Sequence, residues 1–218
     1  MASPTDPPRV PGSRFLDLVA VQDRLRSPGG CPWDAAQTHE SLVPYMLEES
    51  YECVEAIESG DRAHLREELG DLLMQVVFHA RIAAENAVDP FTIDDVAADI
   101  TDKLVRRHPH VFGDAEAATP AEVEANWEQL KAAEKGRGSV VEGIPIAQPA
   151  LALADALSRR AERAGVPDDL YPSGDEVGSQ LFRLARAARA QGLDPEAALR
   201  MAARDFRDRV VAWEETSR

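Results

Sequence analysis

Two acidic clusters hold the residues in this chain that could do chemistry: Glu48-Glu49-x-x-Glu52, then Glu68-x-x-Asp71. Between them lies the short turn Ser59-Gly60-Asp61. In each cluster the acids stand three residues apart, so on a helix they project from one side. Glu52 sits roughly 12 Å of helix before Gly60 and Glu68 roughly 10 Å after Asp61, while Glu49 and Asp71 lie roughly 16 and 15 Å from the turn. An antiparallel hairpin would therefore set Glu52 against Glu68 and Glu49 against Asp71. Four carboxylates at one level repel one another and raise their own pKa values. Mg²⁺ or Mn²⁺, which take carboxylate oxygens, would relieve that conflict. With 39 acidic residues in 218, a solvated acidic face explains either helix taken alone. On a helical wheel Glu52 lies almost opposite its own apolar stripe, and only the matched register across the turn favours a cation site.

The elements that must hold these acids follow from apolar spacing. Val43, Met46, Leu47, Tyr51, Val54 and Ile57 recur at helical intervals over 42–58. Gly60 is a suitable left-handed stop and Asp61 an N-cap for the next helix. Leu65, Leu69, Leu72, Leu73, Val76, Val77 and Ala80 carry that helix to about Asn86. Further helices are expected over 14–26, from Pro90 to about His108, and over 120–135, 149–164, 175–191 and 195–217. A loop is expected over 27–34, and no alternating run reads as a strand. The domain reading is a disordered, proline-rich lead at 1–12, a catalytic helical domain at 13–135, a Gly- and Pro-bearing linker at 136–149, and a shortened helical repeat at 150–218.

The repeat rests on Glu68-Leu-Gly-Asp-Leu-Leu-Met74 aligning with Glu176-Val-Gly-Ser-Gln-Leu-Phe182, and on Val88-Asp-Pro90 aligning with Leu193-Asp-Pro195. Asp102–Arg107 aligns loosely with Asp205–Val210. Ser179 replaces Asp71, and nothing like Glu48-Glu49-x-x-Glu52 precedes the second copy. Metal chemistry then belongs to the first copy.

A net charge of −15 argues against nucleic-acid duplexes and anionic membranes as partners. No apolar run approaches membrane-spanning length, and no secretory signal opens the chain. Cys31 and Cys53 are then expected as free thiols in a reducing compartment. The expectation is a soluble, cytoplasmic, mostly helical protein.

Taken together, Cys31-Pro32-Trp33-Asp34, Gln37-Thr38, the two acidic clusters, Arg106-Arg107-His108-Pro109-His110-Val111-Phe112 and Asn126-Trp127-Glu128-Gln129-Leu130-Lys131 resemble the MazG family over about 15–165. The resemblance implies an all-α helical-bundle fold of the NTP pyrophosphatase type, a homodimer, and Mg²⁺-dependent hydrolysis of a nucleoside triphosphate to the monophosphate and pyrophosphate. Mn²⁺ is a possible substitute, and nucleotide-pool housekeeping is the implied role. Glu49, Glu52, Glu68 and Asp71 match the family's metal ligands, with Glu48 close by. Lys103 and Arg107 match basic positions that reach the triphosphate. Trp127 and Lys131 match an aromatic and basic pair near the nucleotide. Trp33 and Asp34 are expected to shape the base pocket, and Glu48 or Glu52 to orient the attacking water or accept its proton. Blander roles exist for these groups. Lys103 and Arg107 could complement a helix dipole, Trp127 and Trp33 could be packing residues, and His108 and His110 could serve a helix-terminating loop. The second functional reading is a non-catalytic nucleotide- or metal-binding helical regulator, suggested by the eroded repeat.

Overall fold

The structure is a computed structural model, and it describes residues 10, 12–117, 119–120, 122–123, 127 and 138–217. Among these there is no strand, so the all-α expectation holds. The chain forms two compact units, Met1–Trp127 and Glu128–Arg218.

In the first unit, α1 (Ser13–Arg26) leads through a tight loop into the short α2 (Pro32–Ala36). Pro32 at the first helical position starts α2, because its missing N–H is one that no helix start can satisfy. The sequence expectation of a loop over 27–34 missed this turn of helix. Next, α3 (His39–Ser59) begins at a reciprocal cap: Thr38 Oγ1 accepts from Ser41 N–H, and Ser41 Oγ accepts from Thr38 N–H. It stops at Gly60, whose φ of 74° is a left-handed conformation open to glycine. Asp61 then caps α4 (Arg62–Ala83), its carboxylate accepting from the Ala63 and His64 N–H groups.

Pro90 does not open the next helix. A second capping box, Thr92 with Asp95, starts α5 at Ile93, and α5 runs to Arg107 before the four-residue α6 (Pro109–Phe112). The expected disordered lead lies almost wholly outside the described residues. So does most of the expected 120–135 helix, Lys131 included.

The hairpin α3–α4 is the principal helix pair, with α1 and α5 against α4, α2 against α1 and α6 against α5. Its core is built from Leu42, Cys53 and Ala56 of α3 and Val77, Phe78, Ala80 and Ala83 of α4. Small side chains at Cys53 and Ala56 let α4 approach α3 closely. Burying Phe78 or Val77 contributes about 1.5–3 kcal/mol each. The ridge that α3 buries is thus Leu42-Cys53-Ala56, displaced from the apolar stripe read in the sequence. Val43, Leu47, Tyr51 and Ile57 of that stripe, with Leu69 and Leu73 of α4, remain exposed.

Arg26 ties the end of α1 to this frame. Its guanidinium donates to the Asp34 and Gln37 carbonyls, pairs with Glu85 and stands 5.8 Å over the Phe78 ring. Arg81 pairs with Asp23 and Glu85. These contacts hold α2 and its Trp33 against the hairpin.

The second unit contains α7 (Ala150–Arg163), a 3-10 turn (Asp168–Leu170), α8 (Val177–Ala190) and α9 (Pro195–Thr216), packed on one another around Ala154, Ser158, Ser179 and Ala185. Glu176 precedes α8 as an extended N-cap residue and its carboxylate accepts from Ser179 Oγ. Glu68, its partner in the sequence alignment, lies inside α4 with nearly two turns of helix before it. The second unit therefore presents one acid and a serine at these positions, and they satisfy each other.

Candidate functional site

The α3–α4 hairpin brings the two acidic clusters together. Glu49, Glu68 and Asp71 each offer a carboxylate oxygen within 4.8 Å of the others. Glu52, an expected ligand, is not among the three that converge, but its charge acts on both Glu49 and Glu68. Glu49, Glu52 and Asp71 are half-buried. Glu68 is only 7% exposed, an unusual position for a carboxylate. Glu48, in contrast, is exposed.

The wheel reading that put Glu52 opposite its own apolar stripe misjudged which face α3 packs. Because α3 turns the Leu42-Cys53-Ala56 ridge toward α4, Glu49 and Glu52 flank the interface and do not point into solvent. The local electrostatics follow. Burial, then the charges of Asp71, Glu52 and Glu68, push the Glu49 carboxyl above its usual range. Burial and Glu52 do the same to Glu68, while His64 pulls it the other way. Burial and the surrounding acids also push the Cys53 thiol up.

A crowded set of carboxylates, in which Glu49 and the buried Glu68 have raised pKa values, suits a hard cation. Mg²⁺ and Mn²⁺ favour all-oxygen donors, and their charge removes the repulsion that the fold imposes. The same carboxyls can hold or accept a proton nearer neutral pH than an ordinary glutamate can.

The first unit also holds two aromatic clusters. Trp33, half exposed, sits edge-on to Tyr45 of α3 at 5.9 Å and to Phe78 of α4 at 6.5 Å. Asp34 follows it, half-buried, its carbonyl accepting from Arg26. The other cluster lies at the end of α5. Arg107 is buried with its guanidinium 5.3 Å from the Trp127 ring, and His108 packs against the same indole at 5.0 Å. Lys103, one turn earlier, is exposed. Lys131 lies outside the described residues. His108 interrupts the helical run between α5 and α6, the helix-terminating role expected for the His108–His110 segment.

Sequence reasoning passed over His64, whose Nε2 lies 2.9 Å from Glu68 Oε1. Its signal was the i, i+4 spacing to Glu68. It also passed over His39 and His79, whose rings stack with their Nδ1 atoms 2.7 Å apart. That pair joins helices 40 residues apart in sequence, and no local pattern announces it.

The family model for the MazG nucleotide pyrophosphohydrolase domain matches residues 37–112, a span that contains the whole α3–α4 hairpin and α5. A Thermotoga maritima protein named nucleoside triphosphate pyrophosphohydrolase/pyrophosphatase MazG is 41% identical over 94% of this chain and 87% of its own. The chain belongs to the MazG family. An Escherichia coli K12 relative named nucleoside triphosphate pyrophosphohydrolase is 40% identical over 88% of this chain and 84% of its own. An uncharacterised 26.1 kDa protein of Streptomyces cacaoi is 56% identical over 94% of this chain and 84% of its own. A crystal structure of a mazG-related protein from Thermotoga maritima matches 55% of this chain and 97% of its own, at 27% identity and a TM-score of 0.44. Among the described residues of this MazG-family chain, no helix is long and apolar enough to cross a membrane.

Proposed function

We propose that the acids of α3 and α4 are the Mg²⁺-dependent catalytic centre of the nucleoside triphosphate pyrophosphohydrolase activity that family membership assigns to this chain. The observation that carries the reading is the convergence of Glu49, Glu68 and Asp71 oxygens within 4.8 Å, with the charge of Glu52 acting on Glu49 and Glu68. Glu49, Glu52, Glu68 and Asp71 would hold the cation, with Mn²⁺ as a substitute. When bound, it supplies positive charge against the phosphate oxygens and makes a nearby water more acidic. Glu52, or Glu48 from the exposed side, orients the attacking water or takes its proton. Attack at the α-phosphorus breaks the bond to the bridging oxygen, leaving the nucleoside monophosphate and pyrophosphate. Lys103, Arg107 and Lys131 would meet the developing charge on pyrophosphate. Trp33 and Asp34, with Trp127, would border the base.

The hairpin leaves an apolar stripe uncovered beside the acids, formed by Val43, Leu47 and Tyr51 of α3 and Leu69 and Leu73 of α4. A second copy of the chain, packed there as a homodimer, would cover it and help to enclose the substrate. The role we assign is housekeeping of the cytoplasmic nucleotide pool, with neither duplex nucleic acid nor membrane as a partner, given the charge of −15. Pyrophosphate release from nucleoside triphosphates, measured with and without Mg²⁺, tests the centre. Glu52→Gln is expected to lose most turnover while still folding, and unchanged turnover would remove Glu52 from the mechanism.

A further inference from the structure

His64 stands in the first turn of α4, outside the acidic motif, and its Nε2 lies 2.9 Å from Glu68 Oε1. Its backbone is held in place, because the Asp61 carboxylate accepts from its N–H. The imidazole is 38% exposed at the side-chain level, whereas the Glu68 side chain is 9% exposed. The contact thus runs from the rim of the hairpin to the most buried acid of the cluster. A neutral imidazole carrying its proton on Nε2 still donates this bond, though more weakly than a charged one, so the contact survives loss of the ring's charge.

A carboxylate has two oxygens, and here one is engaged by a donor on its own helix. Hydrogen-bonded partners of this kind commonly fix how a ligating group faces a metal. Ca²⁺ readily takes a carboxylate through both oxygens, while Mg²⁺ and Mn²⁺ suit six-coordinate sites of single oxygens. We propose that His64 is a positioning residue that occupies one Glu68 oxygen, presents the other to the cation, and so biases the site toward small octahedral cations over Ca²⁺. The proposal rests on the acidic cluster being a cation site.

The test is direct Mn²⁺ binding to the full chain without nucleotide, followed by electron paramagnetic resonance of the free ion, with Ca²⁺ as competitor. Wild type, His64→Ala and His64→Gln are compared, after thermal melts without metal show that each variant folds. His64→Ala is expected to bind Mn²⁺ about 10- to 100-fold more weakly, with a smaller ratio of Mn²⁺ to Ca²⁺ affinity. His64→Gln, which keeps an N–H donor, is expected to stay close to wild type in both. The affinity ratio is the readout that a merely structural role would not move. Wild-type binding and an unchanged ratio in His64→Ala would overturn the positioning role and leave the acidic site standing. Equal losses in His64→Gln and His64→Ala would also overturn it, since the donor would then not matter. A wild-type chain that binds no Mn²⁺ would overturn the acidic site and this proposal with it.

Discussion

Replacing Glu68 by Gln should raise stability without Mg²⁺ and shrink the increment that Mg²⁺ adds. In the folded chain the Glu49 and Glu68 carboxyls titrate above the ordinary glutamate value of 4.5, chiefly through burial and then through neighbouring acids. The folded state therefore holds protons that the unfolded chain has released. Their stabilisation is fully present below about pH 4.5 and is lost as pH rises through the raised folded values. Near neutral pH the metal-free cluster works against the fold, and Glu68→Gln removes part of that opposition. The metal-free variant should melt above metal-free wild type there, and the difference should vanish in acid.

From Mg²⁺ the variant gains less than wild type. The first unit spans Met1–Trp127, and at roughly 2.1 cal/mol/K per residue its unfolding entropy is about 0.27 kcal/mol/K. A cation at about 100 times its Kd stabilises by about 2.7 kcal/mol, or roughly 10 °C in Tm. A tenfold loss of affinity at the same Mg²⁺ concentration leaves about 1.4 kcal/mol, or roughly 5 °C. The assay is a calorimetric melt of both proteins across a Mg²⁺ titration at two pH values. An equal Mg²⁺ increment in Glu68→Gln would refute the assignment of Glu68 to the cation site.

Thr38→Ala removes the side-chain half of the cap that starts α3; it should destabilise by about 1 kcal/mol, or roughly 4 °C by the same conversion, and an unchanged melt would count against the capping box. Arg107→Ala deletes the buried guanidinium against Trp127; kcat/KM should fall about 10- to 100-fold while the Mg²⁺ increment in Tm persists, and full activity would remove Arg107 from the substrate site. Light scattering at micromolar concentration should give a dimer for wild type and a monomer for Leu47→Asp, which puts a charge into the exposed stripe; a monomeric wild type would refute the dimer.

The acids' meeting could be read from the chain because it depends on local quantities. Helical rise, a glycine stop at Gly60 and an aspartate cap at Asp61 set the register, and the structure keeps all three. The starts of α2 and α5 were less legible: a proline reads as the end of a helix as easily as its beginning, and it was Thr92 with Asp95 that opened α5. The repeat's erosion was visible as Ser179 in place of an acid, but that Glu176 would stand at an N-cap was not.

The sequence by itself determined the two hairpin helices, where the hairpin turns and which acids share a level, since spacing and capping act within a few residues. Only the tertiary structure decided which ridge α3 buries. Apolar periodicity names a broad face, whereas close approach to α4 selects the small residues of α3, Cys53 and Ala56. That choice drew Glu49 and Glu52 to the flank of the interface and buried Glu68. A solvated acidic face and a partly buried acidic cluster share one sequence pattern, and the packing of α3 on α4 separates them.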